Sequence, residues 1–255
     1  MHRARRLGML AAAALLGGGC GSSSGAGHDA ADGGSDAPFE TAEAGDAPAE
    51  TTDGGVIAEY DLGGDFSIAN NPSGPWRYGY TQGTTLAASA FTADGFAADL
   101  APVGFWHPSD TVYYPYVAAN ETQATVADAT NSWAVRAREI AMEASQDAQF
   151  SVVQFVAPAT ASYEIQADFT GIHFRLSSTD VHVLLGDTAI FDADIDGYGG
   201  DPAFHAVEGQ NPRASFHDTR PLTVGDVLSF AVGVGPNGTY FNDTTGLILH
   251  IAARN

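Results

Sequence analysis

The chain has 255 residues, of which 31 are Asp or Glu and 10 are Lys or Arg, so its formal net charge at pH 7 is −21. Such an acidic chain repels phosphate backbones, which excludes nucleic acid as an expected partner and leaves neutral ligands and cations compatible. The chain contains one cysteine, which excludes an internal disulfide.

The first 20 residues resemble a bacterial lipoprotein signal peptide. Three arginines precede an apolar run, Leu7–Leu16, which is too short to span a membrane, and small residues then lead to Cys20. We predict that Cys20 is lipidated and anchors an extracytoplasmic protein to the bacterial membrane. The alternative is an ordinary secretory signal that is cleaved nearby, in which case Cys20 is incidental and the protein is secreted.

Residues 21–55 have the composition of a linker. The segment is rich in Gly, Ala, Ser and Asp, with eight acids and no Lys or Arg. It cannot bury enough apolar surface to offset its chain entropy, so we predict a disordered acidic tether. The remaining residues, 56–255, are numerous enough for one sizeable hydrophobic core, and we predict that they form a single domain.

The domain reads as a succession of strands. Ser162–Phe169 alternates apolar and polar residues with a period of two, which is typical of a strand with one solvated face. Asp180–Ile195 predicts a hairpin with Gly186 and Asp187 at its turn. The other predicted strands lie near 57–62, 75–81, 103–106, 112–117, 132–143, 150–158, 225–235 and 246–252.

A helical period of 3.6 residues is not sustained for more than about two turns anywhere in the domain. Only Thr122–Thr130 is compatible with a short helix. Eight to ten strands joined by Gly, Pro and Asn turns predict an all-β fold, namely an antiparallel β-sandwich of the jelly-roll type.

Four stretches follow one another in the domain: "YDLGGDFSIANNPSGPWRYGY", "FSVVQFVAPATASYEIQADFTG", "STDVHVLLGDTAIF" and "LTVGDVLSFAVGVGPNGTYFNDTTGLILHI". Their order resembles a family of secreted bacterial jelly-roll domains that occur on lipoproteins and surface-anchored proteins and are described as carbohydrate-binding-module-like. The resemblance covers nearly all of residues 58–252. It implies the fold and secretion, and it assigns no ligand-binding residue.

Two aromatic groups are candidates for a ligand-binding surface. In "NPSGPWRYGY" three aromatics share one strand face, where Trp76 is explained by a core and Tyr78 and Tyr80 remain candidates. "GFWHPSDTVYYPY" is denser, and its adjacent aromatic pairs cannot all point inward from strands. We expect exposed aromatic surface there, which is typical of a binding site, unless the loop packs over one end of the sandwich. The candidates in this group are Trp106, His107, Tyr113, Tyr114 and Tyr116.

The segment "DADIDGYGGD" begins like a calcium loop, with carboxylates at alternate positions followed by a glycine. Its candidate ligands are Asp192, Asp194, Asp196 and Asp201. The pattern then fails, because its twelfth position is Ala203 rather than a glutamate. A continuing strand would instead place the first three aspartates on one solvated face. Asp243, in the predicted turn "GPNGTYFNDTTG", either caps that turn or holds an ion.

Glu139 and Glu143 stand four residues apart, as the two catalytic acids do in some jelly-roll glycosidases. Ala141 occupies the place of the helping carboxylate, and the scattered histidines form no zinc motif. We therefore expect no catalytic activity and no cofactor other than calcium. The leading hypothesis is a lipid-anchored protein that binds a glycan or similar neutral polymer through aromatics around 105–116. The alternatives are a structural or adhesive envelope protein without a small ligand, and a glycosidase-like enzyme that uses Glu139 and Glu143.

Overall fold

The computed structural model describes residues 55–93, 95–100, 102–109, 113–176, 178–206 and 209–255. The predicted signal peptide, the lipidation residue Cys20 and the linker up to residue 54 lie outside the described residues. Every element below belongs to one unit of the chain, residues 51–255. No helix within the described ranges has the length and apolar character that crossing a membrane requires.

The regular structure of these residues consists of sixteen strands, one four-residue α-helix and one 3-10 turn. They are β1 (Val56–Asp61), α1 (Leu62–Asp65), β2 (Trp76–Thr81), the 3-10 turn (Ala88–Ala90), β3 (Phe91–Thr92), β4 (Phe96–Leu100), β5 (Val103–His107), β6 (Tyr116–Asn120), β7 (Val126–Asp128), β8 (Trp133–Val135), β9 (Ile140–Glu143), β10 (Ser151–Val156), β11 (Ala161–Gly171), β12 (Ser178–Leu185), β13 (Thr188–Asp196), β14 (Arg213–Leu222), β15 (Val227–Val232) and β16 (Thr245–Arg254).

The last eight strands form a jelly roll. In one sheet the neighbours run β9, β16, β11, β14, and in the other they run β10, β15, β12, β13. The chain passes from sheet to sheet at every step except the β12–β13 hairpin, and all neighbours are antiparallel, which is the strand order of two nested Greek keys. The predicted all-β sandwich of the jelly-roll type is confirmed. β4–β6 extend the first sheet beyond β9, and β2 and β3 extend the second beyond β10.

The main core lies between the sheets and follows the alternation seen in the sequence. Alternate residues of β11 from Tyr163 to Phe169 are fully buried, whereas Gln166 between them is exposed. The ring of Phe155 on β10 contacts those of Trp76 and Tyr163, with centroids 5.1 and 5.8 Å apart. The predicted place of Trp76 in the core is confirmed.

A second, smaller core covers the outer face of the first sheet. The short helix that the sequence allowed over 122–130 is not formed, because this segment contains β7, which forms a hairpin with β8. Val126 and Trp133 of the hairpin pack against a buried cluster that includes the small residues Ala118 and Ala141 on β6 and β9. The small residues allow the hairpin to lie close to the sheet, and the apolar side chains of the hairpin are buried there rather than along a helix.

The strand register shows which loops meet. Tyr116 pairs with Glu143, and Thr245 pairs with both Met142 and Gly171. The loops β5–β6, β9–β10, β11–β12, β13–β14 and β15–β16 therefore lie at one end of the sandwich, which we call the loop end. Val56, where the chain enters β1, pairs with Arg254 at the opposite end.

Candidate functional site

The exposed large aromatic side chains of the described residues all lie at the loop end. Phe241 is 63% exposed, Phe204 is 42% exposed, and Tyr113 and Tyr114 are each 38% exposed. They belong to three loops, β15–β16, β13–β14 and β5–β6, which are distant from one another in sequence. The fold thus gathers aromatic surface from separate loops at one end of the sandwich.

Tyr114, Tyr240 and Phe241 form a cluster that joins two of these loops, and we call it the aromatic cluster. The rings of Tyr114 and Tyr240 meet edge to face with centroids 5.3 Å apart. Tyr240 stacks on Phe241 with centroids 4.4 Å apart and an angle of 30° between the planes. Because each ring contacts another, the cluster is an ordered surface rather than three independent side chains.

A buried carboxyl group supports the cluster from below. Tyr116, whose ring lies 5.6 Å from that of Tyr114, donates its hydroxyl to Oε2 of Glu143 at 2.9 Å. The hydroxyl of Thr244 donates to the same oxygen at 2.6 Å. Burial raises the pKa of Glu143 to about 7, although both hydrogen bonds oppose the rise. This network ties β6, β9 and the β15–β16 loop together beneath the aromatic rings.

Four candidates of the 105–116 group differ in exposure: two tyrosines are exposed, and two other rings are buried beneath or beside them. Tyr113 and Tyr114 are exposed, whereas Tyr116 and His107 are only 6% and 3% exposed. The His107 ring stacks beneath Tyr113 with centroids 4.4 Å apart. Tyr116 and His107 therefore position the exposed tyrosines and present almost no surface of their own to solvent.

Trp106 and Tyr78 pack inward rather than forming part of this exposed surface. The half-buried Trp106 packs against the main core, and its indole N–H donates to the carbonyl of Ser67 at 2.8 Å. Tyr78 is fully buried, which makes it a core residue rather than part of an exposed surface. Tyr80 is half-buried on the same strand.

The aspartates of 192–201 lie along a strand and the loop that follows it. β13 continues to Asp196, so the first three lie on one strand face instead of surrounding a loop. Asp192 is hydrogen-bonded to His182 at 2.5 Å, and Asp201 accepts a hydrogen bond from the Thr125 hydroxyl at 2.6 Å. Across the described ranges, no group of three or more His, Cys, Asp or Glu side chains is arranged to hold a metal ion. Calcium at this segment stays a prediction.

The two glutamates of the glycosidase hypothesis have separate partners. Glu139 is fully buried and forms an ion pair with Arg136, whose backbone N–H also donates to it at 2.8 Å. Glu143 accepts the hydroxyls of Tyr116 and Thr244 instead. The two glutamates thus share none of these hydrogen-bond partners.

Tyr240 and Phe241 were not predicted as site residues, because "GPNGTYFNDTTG" has the composition of a turn. A signal was nevertheless present. Two adjacent aromatics in a segment bounded by Gly and Asn do not follow strand alternation, so neither has a predetermined place in the core.

The comparisons with known proteins give remote likenesses. No protein-family model matches the chain, and no curated protein matches it. Among solved structures, the chain is similar to a CBM51 from a Clostridium perfringens GH95 protein, in complex with methyl-galactose. The identity is 11%, the TM-score is 0.36, and the match covers 77% of this chain and 100% of that one.

Two further solved structures illustrate the range of the likeness. A CBM4 structure is 11% identical with a TM-score of 0.26, and the match covers 48% of this chain and 75% of that one. A β-glucosidase from Kluyveromyces marxianus in complex with glucose is 12% identical with a TM-score of 0.31. That match covers 74% of this chain and only 18% of the enzyme. Likenesses at this level of identity carry no information about the function of this chain.

Proposed function

We propose that this domain is a non-catalytic binding module for a neutral glycan or a similar neutral polymer, and that the aromatic cluster at the loop end is its contact surface. The single observation that carries the proposal is the convergence of exposed aromatics from distant loops. Tyr114 and Phe241 are about 130 residues apart in sequence, yet both belong to one ring-to-ring cluster.

Aromatic rings suit sugars because the C–H faces of a pyranose are apolar while its hydroxyls need hydrogen-bond partners. The cluster offers both kinds of contact, since Tyr114 and Tyr240 carry hydroxyls and Phe241 supplies a purely apolar face. Its rings are already ordered by mutual contact, so little side-chain freedom is lost when a ligand binds. An extended chain with repeated sugar faces can contact the cluster over several units.

The charge of the domain favours a neutral polymer over an anionic one. Seven arginines stand against 23 acids in residues 56–255. A polymer that carries carboxylates, sulfates or phosphates would be repelled during approach, whereas a neutral glycan is unaffected by this field. Binding should therefore depend little on ionic strength.

The proposal is tested by binding of the full chain to a panel of insoluble and soluble neutral polysaccharides, measured by pull-down and calorimetry. Phe241→Ala and Tyr114→Ala should each weaken binding at least about fivefold, because truncating an anchoring aromatic costs more than about 1 kcal/mol. Val224→Ala is the matched control: Val224 is 61% exposed, but its loop, β14–β15, lies at the opposite end. Its affinity should equal that of the wild type.

Two results would contradict the proposal: no polysaccharide of the panel binds, or binding survives both aromatic substitutions. The first would favour the structural or adhesive envelope protein. Release of reducing sugars during the same incubations would instead favour a glycosidase, and Glu143→Gln would then test that activity.

We also propose that lipidated Cys20 anchors the protein outside the cytoplasm. The chain enters the described domain at Val56, at the end opposite the aromatic cluster. A tether attached there would leave the aromatic cluster free to meet an external polymer. Cys20→Ala should abolish labelling by a radioactive fatty acid and move the protein from the membrane fraction to the soluble fraction. Labelling that persists in this variant would contradict the anchor.

A further inference from the structure

Asp243 is a buried carboxyl group without a partner. It lies in the β15–β16 loop, two residues after Phe241, and its side chain is fully buried. Neither Oδ1 nor Oδ2 has a hydrogen-bond partner, and Asp243 takes part in none of the ion pairs of the described residues. An isolated carboxylate in such a place costs several kcal/mol, so its charge must be removed or compensated.

The surroundings of Asp243 add negative charge. Glu143 on β9 and Asp180 on β12 are near enough that their charges disfavour its ionised form. The backbone N–H of Ser178 favours the ionised form, but it makes no hydrogen bond of ordinary geometry with either oxygen. Asp180 is itself engaged, since its Oδ1 accepts the N–H of Gly235 at 2.7 Å and its Oδ2 bonds to His182 at 2.7 Å. Asp243 is thus the member of the group whose oxygens are uncommitted.

We propose that Asp243 is the central ligand of a cation site, at which calcium ties the β15–β16 loop to β9 beside Glu143. The side chains of Asp243, Glu143 and the adjacent Thr244 all offer oxygen atoms, and the Thr244 hydroxyl is hydrogen-bonded to Glu143 at 2.6 Å. Such a donor set suits a hard cation and offers nothing to zinc or copper. Across the described residues no group of three or more His, Cys, Asp or Glu side chains is arranged to hold a metal ion, so neutral oxygens would have to supply the remaining ligands.

Burial, followed by the neighbouring charge of Glu143, raises the pKa of Asp243 to about 8, so the described residues leave the cost of ionising this carboxyl group uncompensated.

The test is the melting temperature of the chelator-stripped full chain at pH 8, with and without 10 mM CaCl2, together with calcium counted by equilibrium dialysis. For a Kd typical of extracellular sites, about 10⁻⁴–10⁻³ M, the expected increase is about 3–10 °C with one calcium bound. The same melting experiment with 10 mM MgCl2 measures the part of the increase that comes from general screening of charge in this acidic domain.

Asp243→Asn and Asp194→Asn form a matched pair of variants. Asn has the shape of the neutral acid, so Asp243→Asn should fold and should lose both the calcium-induced increase and the bound ion. Asp194 is exposed on β13, and its variant should keep both. Wild type that binds no calcium, or an increase that survives in Asp243→Asn, would overturn the proposal. Loss in Asp194→Asn alone would assign the ion to 192–201. All these readouts are made without glycan, so they stand apart from the proposed function.

Discussion

Glu143 should make the domain less stable as pH rises, and Glu143→Gln should remove this dependence. The carboxyl group is 5% exposed and accepts two hydroxyl hydrogen bonds, which the amide oxygen of Gln can also accept. Burial raises its pKa from 4.5 to about 7. A group with a raised folded-state pKa contributes stability that is fully present below pH 4.5 and is lost as pH rises through 7.

The size of the effect follows from the two pKa values. One pH unit corresponds to about 1.4 kcal/mol, so the free energy of unfolding of the wild type should fall by roughly 3 kcal/mol relative to the variant between pH 4.5 and pH 8. For a domain of this size that is a relative change of about 6–12 °C in melting temperature. At pH 8 the variant should be the more stable protein.

The assay is urea denaturation followed by intrinsic fluorescence, at pH 5, 6, 7 and 8, with EDTA present to remove divalent cations. Asp243, whose pKa is raised partly by Glu143, titrates in both proteins, so the difference between the two curves reports Glu143 together with its coupling to Asp243. Parallel curves across this range would refute the reasoning, because they would mean that Glu143 is ionised in the folded state at little cost.

Three other outcomes are expected. Phe155→Ala removes a ring that contacts three aromatic neighbours in the main core and should cost about 3–5 kcal/mol in denaturant unfolding; a loss below 1 kcal/mol would contradict this packing. Gly79→Ala would put a methyl group 1.9 Å from a backbone oxygen of β3 and should cost at least about 1–3 kcal/mol, whereas Gly55→Ala, with open space around it, should melt like the wild type. Burial lowers the pKa of His182, but hydrogen bonds to Asp180 and Asp192 have the larger effect, so the net pKa is raised. The charged ring therefore contributes stability that is fully present below pH 6.5 and is lost as pH rises through the raised pKa. In thermal melts, the stability lost on His182→Gln should therefore be larger at pH 5.5 than at pH 9, and an equal loss at both would contradict the pairing.

The sandwich was predictable where a strand has one solvated face or ends in a recognisable turn. β11 alternates apolar and polar residues, and the β12–β13 hairpin carries the expected Gly186-Asp187 turn, with Gly186 at φ +57°. β14 was missed for the opposite reason. Its sequence, "RASFHDTRPL", is largely polar, because its strand lies at the edge of the first sheet and only Phe216 and Leu222 are buried. A local pattern cannot distinguish such a strand from a loop.

The burial of aromatic residues could be predicted from the sequence on strands, where side chains alternate between faces, but not in loops. Trp106 and His107 lie on a strand, so one ring faces the core and its neighbour faces outward beneath Tyr113. Adjacent aromatics in loops escape this rule, and in each loop pair at least one ring stays exposed: Tyr113 with Tyr114, and Phe241 beside Tyr240.

Adjacent aromatic pairs outside the strands are therefore the pattern that best indicates surface in this chain. Applied to the sequence without the structure, it would have selected Tyr240 with Phe241 and passed over Trp106, but it would also have passed over Tyr113 and Tyr114, which fall within the predicted strand near 112–117. It would not have brought the two loops together, since their contact depends on the pairing of Tyr116 with Glu143 and of Thr245 with Met142. That pairing sets strands from distant parts of the chain side by side, and no local pattern encodes it.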